Sequence, residues 1–409
     1  MSSETPTRVD TAPPSLARNR NFTLLVGGQF VSQMGDRLAM VAFPWLVWQT
    51  THSTMSTGVV LALFTLPYVV FGAFAGAIID RRSKRAVMVV ADLARAVLIL
   101  AVPFVADHST TGVYTLAFLV STATVFFGPS LLSLLPDIVP EKRLLRANSI
   151  LSASENLTEV VGYAVAGFIV YYLSRRLTFG VDAATFVVSA ISLAAMRLAQ
   201  RPRGSAETPA RHSLIAEMRE GLAFLRTHAG ARANTILVVV AALGVGASYP
   251  LTFLLAATHF DGTRDFGFME AAIAVGFLAG SLALAMFATR VRKGIAVAVG
   301  LMAMGACYAV IGLADVFWPV LVVFVVLGLA NAGFLVAVDT YLQTVIPEAL
   351  RGRVWGIRFT LTQGFYAVGV LAAGALAASV EIGTLFVACG LIVAVPGIVG
   401  LFWAPIREE

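Results

Sequence analysis

The chain has 409 residues, 58% of them hydrophobic and only 13% charged, where soluble domains carry roughly 25% charged residues. Mean hydropathy is +0.84, which excludes an ordinary soluble domain. The net charge of +6 does not point to nucleic acid, because the basic residues sit in short loops between apolar runs.

Residues 1–21 are polar and form an N-terminal tail. The first apolar run, Phe22 to Trp48, is too long for the apolar region of a cleavable signal and reads as a retained first span. A spanning helix needs about 20 apolar residues. On that measure the spans fall at 22–48, 56–79, 86–106, 113–136, 148–173 and 178–197, then at 234–257, 267–288, 295–314, 317–343, 354–379 and 382–404. The expected architecture is therefore an all-α membrane protein of twelve transmembrane helices in two six-helix halves, 22–197 and 234–404, with a short tail at 405–409. Residues 198–233 link the halves. Their second part, Leu214 onward, has helical periodicity and is expected to lie as an amphipathic helix along the cytoplasmic interface.

Lysine and arginine set the orientation. With the N-terminus inside, the cytoplasmic segments hold Arg81, Arg82, Lys84, Arg85, Lys142, Arg143, Arg146, Arg290, Arg292, Lys293, Arg351 and Arg353, whereas the outer loops hold Arg175, Arg176 and Arg264. Both termini are expected to be cytoplasmic and the chain to sit in a bacterial inner membrane. All five tryptophans, Trp45, Trp48, Trp318, Trp355 and Trp403, lie near span ends and read as an anchoring belt.

No metal, cofactor or catalytic constellation is expected. Cys307 and Cys389 lie inside apolar runs, the five histidines fall in loops without ligand spacing, and no phosphate-binding or nucleophile motif occurs. The chain is therefore expected not to be an enzyme and not to use ATP directly.

The halves repeat one another. Gly72-x3-Gly76 recurs as Gly276-x3-Gly280, Pro44 as Pro250, and the segment from Val139 as that from Ile346, with offsets of 204, 206 and 207 residues. Two six-helix halves of this kind are the layout of the major facilitator superfamily. Between the second and third spans, Gly76-x3-Asp80-Arg81-x3-Arg85 resembles that superfamily's signature loop. Gly72, Gly76, Asp80, Arg81 and Arg85 are then expected to form a conformational latch, glycines permitting close helix approach and the ionic contacts breaking and re-forming between states.

The segments "SQMGDRLAMVAFPWLVWQTTHS", "DLARA", "LPDIVPEKRLLRANS" and "GVDAATF" resemble the twelve-helix drug-efflux branch that includes macrolide and tetracycline exporters and the enterobactin exporter. The chain departs from that pattern twice. Its fourth span lacks the arginine many proton-coupled exporters carry, and its fifth has Gly162-Tyr163-x3-Gly167 where exporters often show Gly-Pro.

The resemblance implies that the first, fourth, seventh and tenth spans line a central cavity. Ionisable residues inside spans are costly and need a function or a partner. Asp36 and Arg37 lie mid-span in the first helix, while Glu155 and Glu159 share one face of the fifth at i, i+4. Asp36, Glu159 and then Glu155 are the expected proton-coupling groups, because a carboxylate removed from water takes up a proton more readily. A buried structural pair is the alternative. Asp92, Arg95 and Asp182 fall on peripheral spans and read as structural. Asp339 and Arg358, at similar depth in the tenth and eleventh spans, read as a gate or a static pair. Arg37, Phe30, Phe126, Tyr249, Phe253, Phe334 and Tyr366 are the expected substrate-cavity wall.

The expected function is proton-coupled export of an amphipathic or lipophilic small molecule, such as a drug, antibiotic or siderophore, by alternating access. The partners are the substrate and the bilayer, the energy source is the proton gradient, and the monomer suffices. An importer or lipid-type transporter on the same fold is the alternative, and an intramembrane enzyme or channel the remote one.

Overall fold

The computed structural model describes residues 16–79, 82–197, 214–287 and 293–402. Regular structure there is helical throughout, in thirteen α-helices. The first six are α1 (Arg20–Thr51), α2 (Thr54–Ile79), α3 (Lys84–Ala106), α4 (Thr110–Ile138), α5 (Leu144–Tyr172) and α6 (Arg175–Ala194). The short α7 (Leu214–Thr227) precedes α8 (Ala229–His259), α9 (Thr263–Phe287), α10 (Lys293–Gly312), α11 (Phe317–Val345), α12 (Arg351–Leu376) and α13 (Ile382–Phe402). Most long helices start a few residues before their expected spans, because polar residues outside the apolar run still supply capping atoms, whereas α6, α10 and α12 end two or three residues sooner than expected. Asn19, Ser83, Ser109 and His228 accept backbone N–H bonds at the starts of α1, α3, α4 and α8. Asp80, Arg81, Trp403, the tail 405–409 and the polar stretch 198–213 lie outside the described residues.

Ten of the described helices are long and apolar enough to cross a membrane, so the chain is a multi-pass membrane protein. The two long helices outside that set are α1, of 32 residues, and α5, of 29. They carry Asp36, Arg37, Glu155 and Glu159, and the charge rather than the length sets them apart.

The packing is two-fold repetitive. Within α1–α6 the pairs α1·α5, α1·α6, α2·α4, α3·α4 and α3·α6 touch, and within α8–α13 the equivalent pairs α8·α12, α8·α13, α9·α11, α10·α11 and α10·α13 do the same. The halves meet chiefly through α5·α9 and α2·α12.

Helix ends alternate between the face carrying the linker and the opposite face of short turns, here the turn face. On the turn face two glycine pairs close the seam between halves. A Cβ on Gly58 of α2 would stand 2.9 Å from the Gly374 Cα of α12, and one on Gly267 of α9 would stand 3.0 Å from the Gly167 Cα of α5. Each crossing carries one threonine hydroxyl donating to a glycine carbonyl, Thr54 to Gly374 at 2.8 Å and Thr263 to Gly167 at 3.3 Å. Thr54-x3-Gly58 and Thr263-x3-Gly267 are the same pattern in the two halves. Gly262, at φ 63°, turns the chain sharply between α8 and α9 and receives the Trp45 ring, 3.1 Å from where its Cβ would be.

Two expectations change, and a third gains detail. The linker helix α7 packs on the C-terminal half: Gly221 fits against Arg353 and Ile357, Glu220 is ion-paired with Arg353, and Leu225 is buried with Tyr341, Leu342 and Val354. Trp45 is not an anchor, since its ring packs on Phe253 and Gly262 across the seam. The repeated glycines also differ in use: Gly276 and Gly280 let α9 meet the backbone of α11, whereas nothing lies within 4 Å of a Cβ at Gly72.

Candidate functional site

The mid-helix charges of α1 diverge, as adjacent residues on a helix must. Asp36 points toward α3, where its Oδ1 accepts from Arg95 Nη1 at 3.0 Å. Arg95 is only 1% exposed and is also bonded to Asp92, itself 0% exposed. Its guanidinium lies over the rings of Phe186, 4.2 Å from the centroid, and Phe127, at 5.0 Å. Such stacking and a two-armed ion pair are what a planar guanidinium offers and an ammonium does not. The Asp36 side chain is 29% exposed and opens onto a cavity of about 440 Å³ lined by Gln29, Gln33, Arg37, Tyr68, Thr124, Phe127 and Glu155 among others.

Arg37 points the other way, to Glu159 of α5 at 2.5 Å. Gly162 makes this possible, since a Cβ there would stand 2.9 Å from Arg37 Cγ. Tyr163 lies against the same guanidinium, 5.4 Å from centroid to charge. The Gly162-Tyr163-x3-Gly167 departure thus has a local reading: one glycine admits the arginine, the tyrosine covers it, and the other glycine docks α9.

Glu155 and Glu159 also line a second cavity, of about 270 Å³, with Asn156 of α5, Glu270, Ile273, Ala274 and Phe277 of α9, and Asn331 of α11. Glu155 touches both cavities. Tyr163, Tyr249 and Tyr366 stand within electrostatic reach of Glu270. Carboxylates from both halves therefore share one region. Neither Glu155 nor Glu270 makes an ion pair among the described residues. Glu270 was not visible to sequence reasoning, because it lies three residues into a span where acids read as interfacial. Its distance from the half-to-half glycine contact at Gly267, one helical turn earlier, is the signal that finds it.

The aromatic wall is not assembled. Tyr249 and Tyr366 line neither of these cavities, and Phe253 and Phe334 are 1% and 4% exposed and belong to the core. Phe253 packs on Trp45 and Phe266, and Phe334 on Gly300. Phe126 faces a lateral groove with Arg82, Val87, Val90 and Ala94, and its neighbour Phe127 lines the inner cavity instead. Phe30 is half-buried and lines neither inner cavity. Arg95 and Asp92, expected at the periphery, belong to the Asp36 site.

Of the latch, Arg85 donates to the Met196 carbonyl at 2.7 Å and so holds the end of α6. Arg358 donates to Asp339 at 3.1 Å and rests on Trp355, 4.8 Å from its centroid. Arg358 is buried while the Asp339 side chain is 44% exposed. D339N is therefore expected to lower the unfolding temperature in detergent more than R358M does, because only D339N strands a buried cation. Equal losses would mark the pair as a surface contact.

A family model described as transmembrane secretion effector matches residues 11–408. The multidrug efflux pump Tap of Mycolicibacterium fortuitum is 28% identical over 94% of this chain and 96% of its own length. Macrolide efflux protein A of Streptococcus pyogenes is 25% identical over 91% and 93%. Among solved structures, a variant of the nucleoside transporter NupG superposes with a TM-score of 0.79 at 14% identity, covering 93% of this chain and 99% of that one. A bacterial homologue of the lysosomal transporter Spinster gives 0.72 at 14%, over 97% and 98%. Repeated halves, charged inner helices and a cavity lined by both halves accord with these likenesses: the chain belongs to the transmembrane secretion effector family, transporters of the major facilitator superfamily.

Proposed function

We propose that the chain is a proton-coupled exporter of amphipathic or lipophilic small molecules, macrolide-like drugs among them, in a bacterial inner membrane. The carrying observation is the group of carboxylates, Asp36, Glu155, Glu159 and Glu270, around two cavities that meet at Glu155, one within the N-terminal half and one between the halves, only two of them ion-paired. A group that binds a proton in one state and a cation in the other suits coupling, and the relatives' names support export and the drug class. Asp36 is the first candidate carrier, since it alone joins a cavity to a buried arginine. Glu159 follows, then Glu155.

In this reading α1 and α5 also span, giving twelve helices, because their charges are offset by Arg95 and by each other. The termini and linker are cytoplasmic. The turn face carries Arg175, Arg176 and Arg264 against the many lysines and arginines of the linker face, and that excess of Lys and Arg sets the orientation. Alternating access opens the linker face while the glycine crossings hold the turn face shut. Gly72, Gly76, Asp80, Arg81 and Arg85 act as the latch and Asp339–Arg358 as a gate. No cofactor is required and the monomer is the working unit.

Liposomes holding the purified protein, given a macrolide and an imposed pH gradient, test this. Wild-type protein should accumulate the drug and lose it with an uncoupler. D36N should fall to the uncoupled level, and E159Q should weaken coupling. Accumulation indifferent to the uncoupler ends the reading. Wild-type proton dependence in both variants moves coupling to Glu155 and Glu270.

A further inference from the structure

Asp182 of α6 is 0% exposed, and neither of its carboxyl oxygens has a hydrogen-bond partner among the described residues. It is held against α1 at Gly35, where a Cβ would stand 2.9 Å from Asp182 Oδ1 and 2.1 Å from Thr185 Oγ1. Any side chain at residue 35 would separate the carboxyl from α1, one residue from Asp36. Phe186, one turn further along α6, lies against both Gly35 and the Arg95 guanidinium, so Asp182 sits beside the cluster in which Arg95 is bound to Asp36 and Asp92. Three carboxyl groups thus lie about one guanidinium that is bonded to two of them. Ionising all three would leave two uncompensated charges. A fully buried, unpaired carboxylate in such a medium is neutralised by a proton rather than kept as an ion.

We propose that Asp182 is a neutral carboxylic acid and the second proton site of the transporter, exchanging its proton with Asp36 while Arg95 follows the negative charge. The inference rests on the coupling role given to Asp36 above. In the state described, Asp36 and Asp92 are ionised and Asp182 holds the proton. In the exchanged state the proton has left Asp182 for Asp36, and Arg95 has turned from Asp36 to Asp182 with its bond to Asp92 kept. Each state has one cation, two carboxylates and one acid, so the cluster's charge does not change and no further proton is needed inside the protein. What changes is access: on Asp36 the proton faces the cavity, and on Asp182 it is sealed. Arg95 can turn because its partners lie on three helices, α1, α3 and α6, that converge on it.

Infrared spectra of the purified protein near neutral pH, in water and in deuterium oxide, test the protonation state. Wild type should show a protonated-carboxyl C=O band that shifts on deuteration and that D182N diminishes. A wild-type spectrum without the band, or one unchanged by D182N, overturns the proposal. In liposomes, D182N should keep drug–drug exchange without a gradient yet lose most of the pH dependence of accumulation, a split that a merely structural role would not produce. Wild-type pH dependence in D182N overturns the exchange even with the band lost. D182S serves for both measurements should D182N not fold. Intact coupling in D36N would sink the role of Asp36 while the infrared result stood, so the two failures are distinguishable.

Discussion

R95A is expected to destabilise the N-terminal half by about 3–5 kcal/mol, the cost of stranding a buried charged partner. Asp36 and Asp92 lose their counter-ion together, and the Phe127 and Phe186 rings lose the cation they sandwich. R95K should recover little, because one compact ammonium cannot serve two aspartates and two rings at once. D92N combined with R95M should be more stable than R95M alone, since it removes the fully buried carboxylate and leaves Asp36 with access to the cavity. Unfolding temperature in detergent and the monodisperse fraction on size exclusion measure all four. R95A as stable as wild type would show that the cluster contributes nothing to the fold.

G374V is expected to stop transport by forcing α2 and α12 apart. Backbone atoms of Gly58 and Thr54 lie 2.9 and 3.1 Å from where its Cβ would be, and backbone does not yield as a side-chain tip would. Overpacking of this kind costs about 1–3 kcal/mol, which shifts a two-state balance by roughly 5- to 150-fold. The state closed on the turn face is the one that suffers. A cysteine placed near Thr54, labelled by a membrane-impermeant maleimide from outside, should react faster in G374V than in wild type. G167V, at the equivalent crossing, should do the same. Transport at wild-type rate with unchanged labelling would mean that the glycine crossings are packing and nothing more.

Span positions were legible because hydrophobic runs of this length have few other readings, and the α1–α13 boundaries differ from expectation by a few residues. The repeat was legible too, although its clearest form, the Thr-x3-Gly pattern at 54–58 and 263–267, stands out only once the crossings are seen. Partner choice was not. Adjacent residues Asp36 and Arg37 look like candidates for each other or for one acid, yet helix geometry sends them to opposite sides, toward Arg95 and Glu159. Arg95 was assigned to the periphery from the order of its helix. That order does not reveal which face of α3 turns toward α1 and α6. The phenylalanines failed for a related reason: in an apolar helix the rings facing core, lipid and cavity have the same composition, and Phe126 and Phe127 differ only by one step around α4.

The divergence of Asp36 and Arg37 also bears on how the protein is made. In the twelve-span reading α1 leaves the ribosome before α3 and α5, and each of its two charges costs about 2.5–3.5 kcal/mol at the centre of a bilayer when alone. They cannot neutralise each other, and the partner of Asp36 is 59 residues further along the chain, with Glu159 later still. Insertion of α1 by itself is therefore unfavourable at its middle. The translocation machinery has to retain it, or admit it provisionally, until α3 and then α5 arrive. Biogenesis of the N-terminal half is thus an obligate assembly of helices, in which α1 is secured in the membrane by segments synthesised after it.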